Sequence, residues 1–342
     1  MKKVGLFGGS FDPVHTGHLH IALDAKRQLS LGEVWFLPTV STPLKEDRIV
    51  SFDHRVKMIR LMISPYRKLK ACLIEASLDQ PNYTVNTVKE LLNAFPDHEF
   101  YWILGSDQAN QFSRWRDHET LRRLLKFVVY PRNPKDDIPS WMVSLKPKDY
   151  LKYSSTQIRQ GEVGLTSRKV VAYMMKHGLY AEEIGKAMVS AKRWIHVDSM
   201  RDLALRLARA HHLDETKVNL AALLHDCMKN KTMDELRTIL TIYEPDYLKQ
   251  PPAIWHQRAG MYYAKRNLRI DDKSVLKAIG HHVDGDVDDP VAKVIYLADK
   301  LDESRGYDSS GLIALAMKNL DQAVKQVRLN QQAYLKKEGV DV

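Results

Sequence analysis

The spacing of apolar residues along the chain changes near residue 180. Before that point, short apolar runs, which predict strands, alternate with amphipathic stretches, which predict helices. Strands are predicted at Val4–Gly8, Glu33–Pro38, Lys70–Ile74, Glu99–Leu104 and Phe127–Tyr130, and helices at Ile21–Ser30, Asp53–Ser64, Thr84–Ala94 and Thr120–Lys126. This alternation is typical of an α/β doubly wound parallel sheet with helices on both faces.

After about Leu179 the apolar residues recur with helical spacing alone. The predicted helices are Asp198–His212, Thr216–Lys229, Thr232–Tyr243, Ala253–Asn267, Lys273–His281, Val291–Asp302 and Ser310–Lys336. A change of period without a low-complexity linker indicates a second, all-α domain. The predicted domains are therefore residues 1–182 and 183–342, with a margin of several residues at the boundary.

Composition limits the class of protein. A hydrophobic fraction of 44% in 342 residues is ordinary for a chain that buries two cores. The longest apolar stretches fall far short of the roughly 20 residues that cross a bilayer, and the N-terminus enters a strand, not a signal-peptide core. Two cysteines, Cys72 and Cys227, support neither a disulfide framework nor a cysteine zinc site. We therefore expect a cytoplasmic protein with no membrane partner.

The formal charge of +10 is spread along the chain. Lysine and arginine are interleaved with aspartate and glutamate, and no basic block carries the aromatic residues on which bases would stack. This pattern favours phosphorylated metabolites as partners and not nucleic acid. An RNA-binding protein, which would show steep salt dependence, is the least favoured class.

A glycine- and histidine-rich segment, GGSFDPVHTGH at residues 8–18, follows the first predicted strand, where a doubly wound sheet exposes its ligand crevice. Gly8 and Gly9 allow backbone N–H groups to approach an anion closely. His15 and His18, at the start of a helix, can donate hydrogen bonds to phosphoryl oxygens. The alternative is a glycine turn with solvated histidines, but this composition gives HxGH by chance only about 0.03 times per chain.

With further motifs, this segment resembles the HxGH nucleotidyltransferase superfamily and, within it, nicotinate mononucleotide adenylyltransferase, over about residues 1–180. The further motifs are PNYTVNT at 81–87, LGSD at 104–107, Trp115, YSSTQIR at 153–159 and the closing run 171–180. Leu44 stands where the family carries a histidine. The resemblance implies transfer of AMP from ATP, with Mg²⁺ on the triphosphate, to nicotinic acid mononucleotide. The products are nicotinic acid adenine dinucleotide and pyrophosphate.

The same resemblance implies catalytic roles for His15 and His18. It implies substrate binding by Gly8, Gly9, Ser10, Phe11, Lys45, Thr84, Gly105, Asp107, Trp115, Arg132, Ser154, Ser155, Thr156 and Arg159. Taken singly, several of these have other readings: the serine–threonine run as a helix cap, the tryptophan as core, Lys45 as a surface residue. Nicotinamide mononucleotide and phosphopantetheine stay open as alternative acceptors.

In the helical half, histidines and aspartates recur in separate predicted segments: His196, His225, Asp226, His256, His282 and Asp299. If His225 and Asp226 lie about 100° apart on one helix, both can reach one site, and the carboxylate can bridge two cations. Imidazole and carboxylate ligands without thiolate suit iron, manganese or zinc. The alternative is that these are hydrogen-bonded core histidines.

The motifs AALLHDCMK, AIGHHVDG and ADKLDESRGYD resemble the HD-domain phosphohydrolase superfamily, and most closely the bacterial symmetrical diadenosine tetraphosphate hydrolases, over roughly residues 183–330. The resemblance implies two transition metals, with iron favoured, held by the six residues above, with Asp226 as the bridge. It implies catalytic roles for Asp226 and Lys229, phosphate binding by Arg305, and cleavage of diadenosine tetraphosphate to two ADP. His281 is the alternative to His282. Another nucleotide substrate, or a non-catalytic nucleotide-sensing or dimerisation module, also stays open, as does a homo-oligomer.

Overall fold

The computed structural model describes residues 1–40, 50–150, 153–286 and 288–337. Lys45 lies outside the described residues. Contacts divide the chain into two compact units, Met1–Ile158 with Gly164–Val170 and Arg159–Val163 with Val171–Val342. The domain limits 1–182 and 183–342 stay a prediction.

The first unit is built on a parallel sheet. Its strands are β1 Lys2–Gly9, β2 Glu33–Pro38, β3 Leu69–Ala71, β4 His98–Gly105, β5 Lys126–Tyr130 and β6 Val143–Ser144, in the order β3-β2-β1-β4-β5-β6. Every neighbouring pair is parallel. The prediction of a doubly wound parallel sheet is confirmed.

Helices connect these strands. They are α1 Thr16–Gln28, α2 Phe52–Ile63, α3 Thr84–Ala94, α4 Ser106–Ala109 and α5 His118–Leu124, with 3-10 turns at Ile74–Ser77 and Phe112–Arg114. Helices α6 Ser155–Arg159 and α7 Arg168–Lys176 follow, separated by a 3-10 turn at Val163–Leu165. Helix α3 has the predicted limits, and α1, α2 and α5 begin earlier in the chain than predicted.

Two strand predictions need correction. The run Lys70–Ile74 forms a strand only to Ala71, because the chain then enters a 3-10 turn that buries Glu75. Strand β6 was not predicted, since two exposed residues carry no alternating pattern. In both cases the pairing partner in the sheet decides the strand length, and a short run cannot reveal that partner.

The sheet contains a switch point between β1 and β4. Strands β2 and β3 lie on one side of β1, and β4 and β5 lie on the other. Connections therefore leave the carboxyl ends of β1 and β4 in opposite directions and open a crevice between them. Gly8 and Gly9 end β1 and Gly105 ends β4, so the glycine-rich motifs meet at this crevice.

At the end of the sheet opposite the crevice, the side chain of Glu33 connects its own strand, β2, to β1 and β3. Its carboxylate accepts from Lys2 Nζ at 2.7 Å, Lys70 Nζ at 2.9 Å and Trp35 Nε1 at 2.8 Å, and the residue is 5% exposed. Burial alone would raise the pKa of Glu33, but the bonds from Lys2, Lys70 and Trp35 lower it to about 2. The ionised carboxylate therefore stabilises the sheet.

We expect Glu33→Gln to lower the free energy of unfolding of this unit by about 2 kcal/mol at pH 7. Because the folded-state pKa lies below the unfolded value, the difference is present above pH 4.5 and disappears as the pH falls towards 2. Hydrogen exchange of the β1 and β2 amides measures it for this unit alone. Glu99→Gln, which breaks a partly exposed pair with Lys126, is the control and should cost under about 1 kcal/mol. Equal losses at pH 7 and pH 2.5 would contradict the role of the charge.

The second unit is helical. Its helices are α8 Ala181–Met188, α9 Ala191–Ala210, α10 Glu215–Leu224, α11 Met233–Tyr243, α12 Trp255–Arg266, α13 Lys273–Gly280, α14 Pro290–Leu301, α15 Ser310–Lys318 and α16 Leu320–Lys337, with 3-10 turns at Pro245–Lys249, Pro252–Ile254 and Glu303–Arg305. Nine of the twelve residues of α14 are buried, so this helix is central. The predicted all-α class is confirmed. Within the described residues, no helix has the length and apolar character needed to span a membrane.

Three helix predictions in this unit were wrong in detail. Ser310–Lys336 is two helices, because Asn319 is extended and its side chain accepts from the Gln322 amide to begin α16. Thr216–Lys229 ends as a helix at Leu224, because the following amides bond to carbonyls three residues back. His225 and Asp226 therefore lie in a turn. His196 lies inside α9 and not before a helix.

Candidate active site and candidate metal centre

His15 and His18 cap the first helix for each other. The His18 amide donates to His15 Nδ1 at 3.3 Å, and the His15 amide donates to His18 Nδ1 at 3.1 Å. The two rings stack with centroids 3.6 Å apart. Backbone groups that every helix start leaves unpaired therefore fix the orientation of both side chains.

Both imidazoles are neutral in this position. Burial, and then the charge of Arg132, lower the pKa of His15 to about 4, and burial and His15 hold the pKa of His18 well below its usual range. Because each Nδ1 accepts a hydrogen bond, the proton of each neutral ring lies on Nε2. The geometry thus presents two oriented N–H donors side by side, which suits phosphoryl oxygens.

Gly8 and Gly17 of this motif leave no room for a side chain, because neighbouring rings lie close to their backbone. A Cβ on Gly17 would lie 2.9 Å from His15 Nδ1, so a side chain there would move the His15 ring. A Cβ on Gly8 would lie 2.8 Å from the indole of Trp102. Phe11 has a left-handed backbone conformation, with φ of 49°. Its ring centroid lies 4.9 Å from that of His18, so the Phe11 ring packs against the histidine pair.

Across the crevice, the ends of β4 and β5 form a polar cluster. Arg132 pairs with Asp107 at 3.3 Å, and the Arg132 amide donates to Asp136 at 2.7 Å. The Ser106 hydroxyl donates to the same Asp136 carboxylate. A Cβ on Gly105 would clash with Asp107, at 2.6 Å from its Oδ1. The predicted residues Gly105, Asp107 and Arg132 are therefore together, and the Arg132 charge acts on both histidines.

The serine–threonine segment lies against the loop before α1. Ser155 Oγ donates to the Pro13 carbonyl at 2.8 Å, and Ser154 Oγ bonds to Gln157. Thr166 Oγ1 donates to the Val14 carbonyl at 2.8 Å. These hydroxyls hold the backbone that leads into His15. Thr156 follows in α6, and Arg159 is grouped by its contacts with the second unit.

The two residues predicted near the acceptor lie beside the sheet. Thr84 begins α3 and is half-buried. Trp115 follows the 3-10 turn Phe112–Arg114, and its ring meets Trp102 edge-on at 6.1 Å. Both Tyr83, next to Thr84, and Trp115 pack on the core cluster that contains Trp102.

In the second unit, four of the six predicted ligands, His196, His225, His256 and His282, lie around a fifth, Asp226, and the sixth, Asp299, contacts His196. Asp226 Oδ1 lies 3.5 Å from Nε2 of both His256 and His282, and Asp226 Oδ2 lies 3.3 Å from His225 Nε2. Two groups able to hold a metal ion result, His196–His225–Asp226 and Asp226–His256–His282, and Asp226 belongs to both. One carboxylate thus faces two histidine sets through different oxygens, as a bridging ligand must.

Backbone carbonyls orient three of these histidines. The Nδ1 atoms of His225, His256 and His282 lie 2.7, 3.0 and 2.8 Å from the carbonyls of Ala222, Ala253 and Ile279. Each Nδ1–H donates there, which leaves Nε2 free to bind a metal.

Buried polar atoms without a hydrogen-bond partner indicate whether a metal fits this cluster. Among the described residues, His225 Nε2 and Asp226 Oδ1 are buried without a hydrogen-bond partner. Such atoms are costly unless a cation or another group satisfies them. Burial opposes ionisation of Asp226, but His225 and His282 hold its pKa well below its usual range. The donor set and its charge therefore fit divalent metals.

His196 is held between two aspartates. Its Nε2 lies 3.0 Å from Asp299 Oδ1, and its Nδ1 lies 3.2 Å from Asp302 Oδ2. Asp302 is buried, and its contact with Nδ1 orients the His196 ring, which the resemblance assigns to a metal. Arg305 also contacts Asp299, at 2.8 Å.

Cationic side chains surround the cluster. Arg193 pairs with Asp226 Oδ2, Lys300 Nζ lies 2.8 Å from Asp299 Oδ2, and Lys229 Nζ lies 3.4 Å from His256 Nε2. The pKa of Lys229 is lowered, mainly because the side chain is partly buried. With Arg305, these groups place positive charge around the candidate metal centre, where phosphate oxygens would be attracted.

Comparisons with known proteins give matches for both halves of the chain. Residues 6–161 match the family described as cytidylyltransferase-like, and residues 193–304 match the HD domain family. The protein of Mycoplasma genitalium named probable nicotinate-nucleotide adenylyltransferase/Ap4A hydrolase is 30% identical over 337 residues, covering 94% of this chain and 95% of its own. The chain belongs to this nicotinate-nucleotide adenylyltransferase/Ap4A hydrolase family. Both resemblances seen in the sequence are confirmed.

Two shorter proteins are similar to the first half of the chain. An Oceanobacillus iheyensis protein named probable nicotinate-nucleotide adenylyltransferase is 33% identical over 186 residues, covering 53% of this chain and 97% of its own. The solved Plasmodium falciparum nicotinic acid mononucleotide adenylyltransferase complexed with NaAD has a TM-score of 0.46 and 20% identity, covering 53% of this chain and 98% of its own.

In this family member, Arg55 is a structural residue that the sequence did not reveal. It lies on α2, is 2% exposed, and donates to the carbonyls of Ser10 at 2.8 Å, Thr39 at 2.7 Å and Val50 at 2.8 Å. One guanidinium thus holds the loops that leave β1 and β2. Helical spacing alone gives no sign of this, since these three acceptors are backbone atoms.

Two other residues could have been found from spacing. Arg193 and Asp302 lie three residues from His196 and Asp299, which is one helical turn away. The predicted helix began after His196, so Arg193 was missed. The structure also separates the two adjacent histidines: His282 faces Asp226, whereas His281 lies 3.3 Å from Asp284 and outside the cluster. The individual ligand roles stay predictions.

Proposed function

We propose that the first unit transfers AMP from ATP to nicotinic acid mononucleotide. An oxygen of the acceptor's phosphate attacks the α-phosphorus of ATP, the bond to the β-phosphate oxygen breaks, and pyrophosphate leaves. The observation that supports this most is the paired, neutral His15 and His18, whose Nε2–H donors match a phosphoryl group that gains charge.

The other residues of the crevice have supporting roles in this proposal. Gly8, Gly9 and Ser10 allow backbone contact with phosphates, and Arg132, ion-paired with Asp107, adds positive charge. Phe11, Lys45, Ser154, Ser155, Thr156 and Arg159 are proposed to bind ATP. Thr84, Gly105, Asp107 and Trp115 are proposed to bind the acceptor. Mg²⁺ on the triphosphate would share in neutralising its charge. No protein nucleophile is needed, because positioning and charge carry this chemistry.

Pyrophosphate release by the purified protein tests this function. ATP is offered with nicotinic acid mononucleotide, nicotinamide mononucleotide or phosphopantetheine. We expect the nicotinate acceptor to give the highest kcat/KM. If only phosphopantetheine supports release, the acceptor is wrong, and if none does, the adenylyl transfer is wrong.

We further propose that the second unit hydrolyses a nucleotide phosphoanhydride, with diadenosine tetraphosphate cleaved to two ADP. Its support is the pair of residue groups that could each hold a metal ion and that share Asp226, together with the name of the Mycoplasma genitalium relative. His196, His225, Asp226, His256, His282 and Asp299 would hold two divalent metals, with iron favoured. Bound metals would supply Lewis acidity and lower the pKa of water.

The chain's own cations would bind the substrate. Lys229 and Arg305, with Arg193 and Lys300, are placed to hold phosphate oxygens beside Asp226 and Asp299. Metal analysis and a panel of dinucleoside polyphosphates test the proposal. We expect about two metals per chain and ADP as the product from diadenosine tetraphosphate. A metal-free unit that cleaves none of the panel would favour a nucleotide-sensing or dimerisation module.

A further inference from the structure

Arg116 follows Trp115 directly and lies over the ring of Tyr83. Its guanidinium carbon is 4.4 Å from the ring centroid, which is a cation–π contact. The residue is exposed and forms no ion pair within the described part of the chain. Arg132, in contrast, is paired with Asp107. Arg116 therefore carries a charge whose orientation is fixed by an aromatic ring but whose N–H groups have no carboxylate partner.

A chain of contacts connects this arginine to the phosphate loop. A Cβ on Gly8 would touch Trp102, and Trp102 meets Trp115 edge-on at 6.1 Å. Arg116 is the next residue, and its stacking partner Tyr83 precedes Thr84. Arg116 thus joins the segments of Thr84 and Trp115, which the proposed function assigns to the acceptor.

We propose that Arg116 selects an acceptor whose pyridine ring carries a carboxylate, and so discriminates nicotinic acid mononucleotide from nicotinamide mononucleotide. This inference rests on the proposed adenylyl transfer. The exposed guanidinium has no ion-pair partner among the described residues, and its fork of N–H groups matches two carboxylate oxygens. A carboxamide has no charge, and its NH₂ group would meet the N–H edge without a hydrogen bond. The discrimination therefore follows from charge and from donor–acceptor geometry.

The test compares kcat/KM for the two mononucleotides in Arg116→Gln. We expect the value for the nicotinate acceptor to fall by about 10- to 100-fold, and the value for the nicotinamide acceptor to change by less than about threefold. Arg116→Lys, which keeps the charge but loses the planar fork, should lie between wild type and Arg116→Gln for the nicotinate acceptor.

Arg122→Gln is the matched control. Arg122 is also exposed, and its guanidinium carbon lies 4.8 Å from the ring centroid of Trp141, but it belongs to α5 and to neither acceptor segment. Its replacement should leave both acceptors unchanged. Equal loss for both acceptors in Arg116→Gln would mean a general positioning role and would overturn the proposal, as would no change for either.

Calorimetric binding of the two mononucleotides separates this inference from the proposed function. We expect Arg116→Gln to weaken nicotinic acid mononucleotide binding by about 10-fold or more and to leave nicotinamide mononucleotide binding unchanged. If wild type binds the nicotinate form selectively but releases no pyrophosphate, the proposed reaction fails and the selectivity stands. If wild type transfers AMP to both acceptors with equal kcat/KM, the selectivity fails and the reaction stands.

Discussion

Replacing His18 with alanine should lower kcat/KM for adenylyl transfer by about 10³-fold. The substitution removes the His18 Nε2 donor and also the Nδ1 atom that accepts from the His15 amide at 3.1 Å. Without that bond and the stacked ring, His15 loses its fixed orientation, so both donors are affected by one change. Steady-state pyrophosphate release measures the loss.

His20→Ala is the control for this prediction. His20 lies on the same helix two residues later and is exposed, so its removal should leave transfer within about twofold. Metal content and phosphoanhydride hydrolysis by the second unit should be unchanged in both variants. Transfer by His18→Ala within tenfold of wild type would show that the histidine pair does not act on the phosphoryl group.

Asp226→Asn should remove most of the bound metal and lower phosphoanhydride hydrolysis by more than the roughly 10- to 100-fold effect of losing an outer-shell partner. The amide keeps the shape of the side chain but loses the charge that faces His256 and His282 on one side and His225 on the other. Because both candidate metal groups contain Asp226, one substitution should affect both. Elemental analysis gives the metal content independently of turnover.

Two histidine variants sharpen this test. His282→Ala should lose metal, because its Nε2 faces Asp226 Oδ1 at 3.5 Å. His281→Ala should retain metal, because its ring contacts Asp284 instead. Adenylyl transfer should be unchanged in all three variants. Full metal content in Asp226→Asn, or loss in His281→Ala and not in His282→Ala, would contradict the assigned cluster.

The spacing of apolar residues predicted the limits of helices and strands well where that spacing is regular. The limits of α3 and β2 follow directly from apolar spacing, and so does the change from an α/β to an all-helical chain. Spacing failed where a single side chain or turn interrupts an apolar run. Asn319 ends α15 and begins α16 within one amphipathic stretch, and the bonding of residues after Leu224 ends α10 before His225.

The candidate residues were also more visible in the sequence than their arrangement. HxGH and HD stand out as motifs, yet the tautomers of His15 and His18 depend on reciprocal bonds between side chain and backbone. Arg55 holds loops through the backbone carbonyls of Ser10, Thr39, Val40 and Val50, which lie 45, 16, 15 and 5 residues from it in the sequence. Neither the histidine tautomers nor the loop contacts of Arg55 can be predicted from local composition.

The sequence by itself determined the two fold classes, the position of the phosphate-binding motif after β1 and the set of histidines and aspartates in the helical half. These depend on periodicity and on residue type, which are local properties. Only the tertiary structure decided that Asp226 faces two histidine groups, that His282 and not His281 joins them, and that Arg116 stacks on Tyr83. Such contacts join residues far apart in the chain, and packing of whole helices and strands sets their distances.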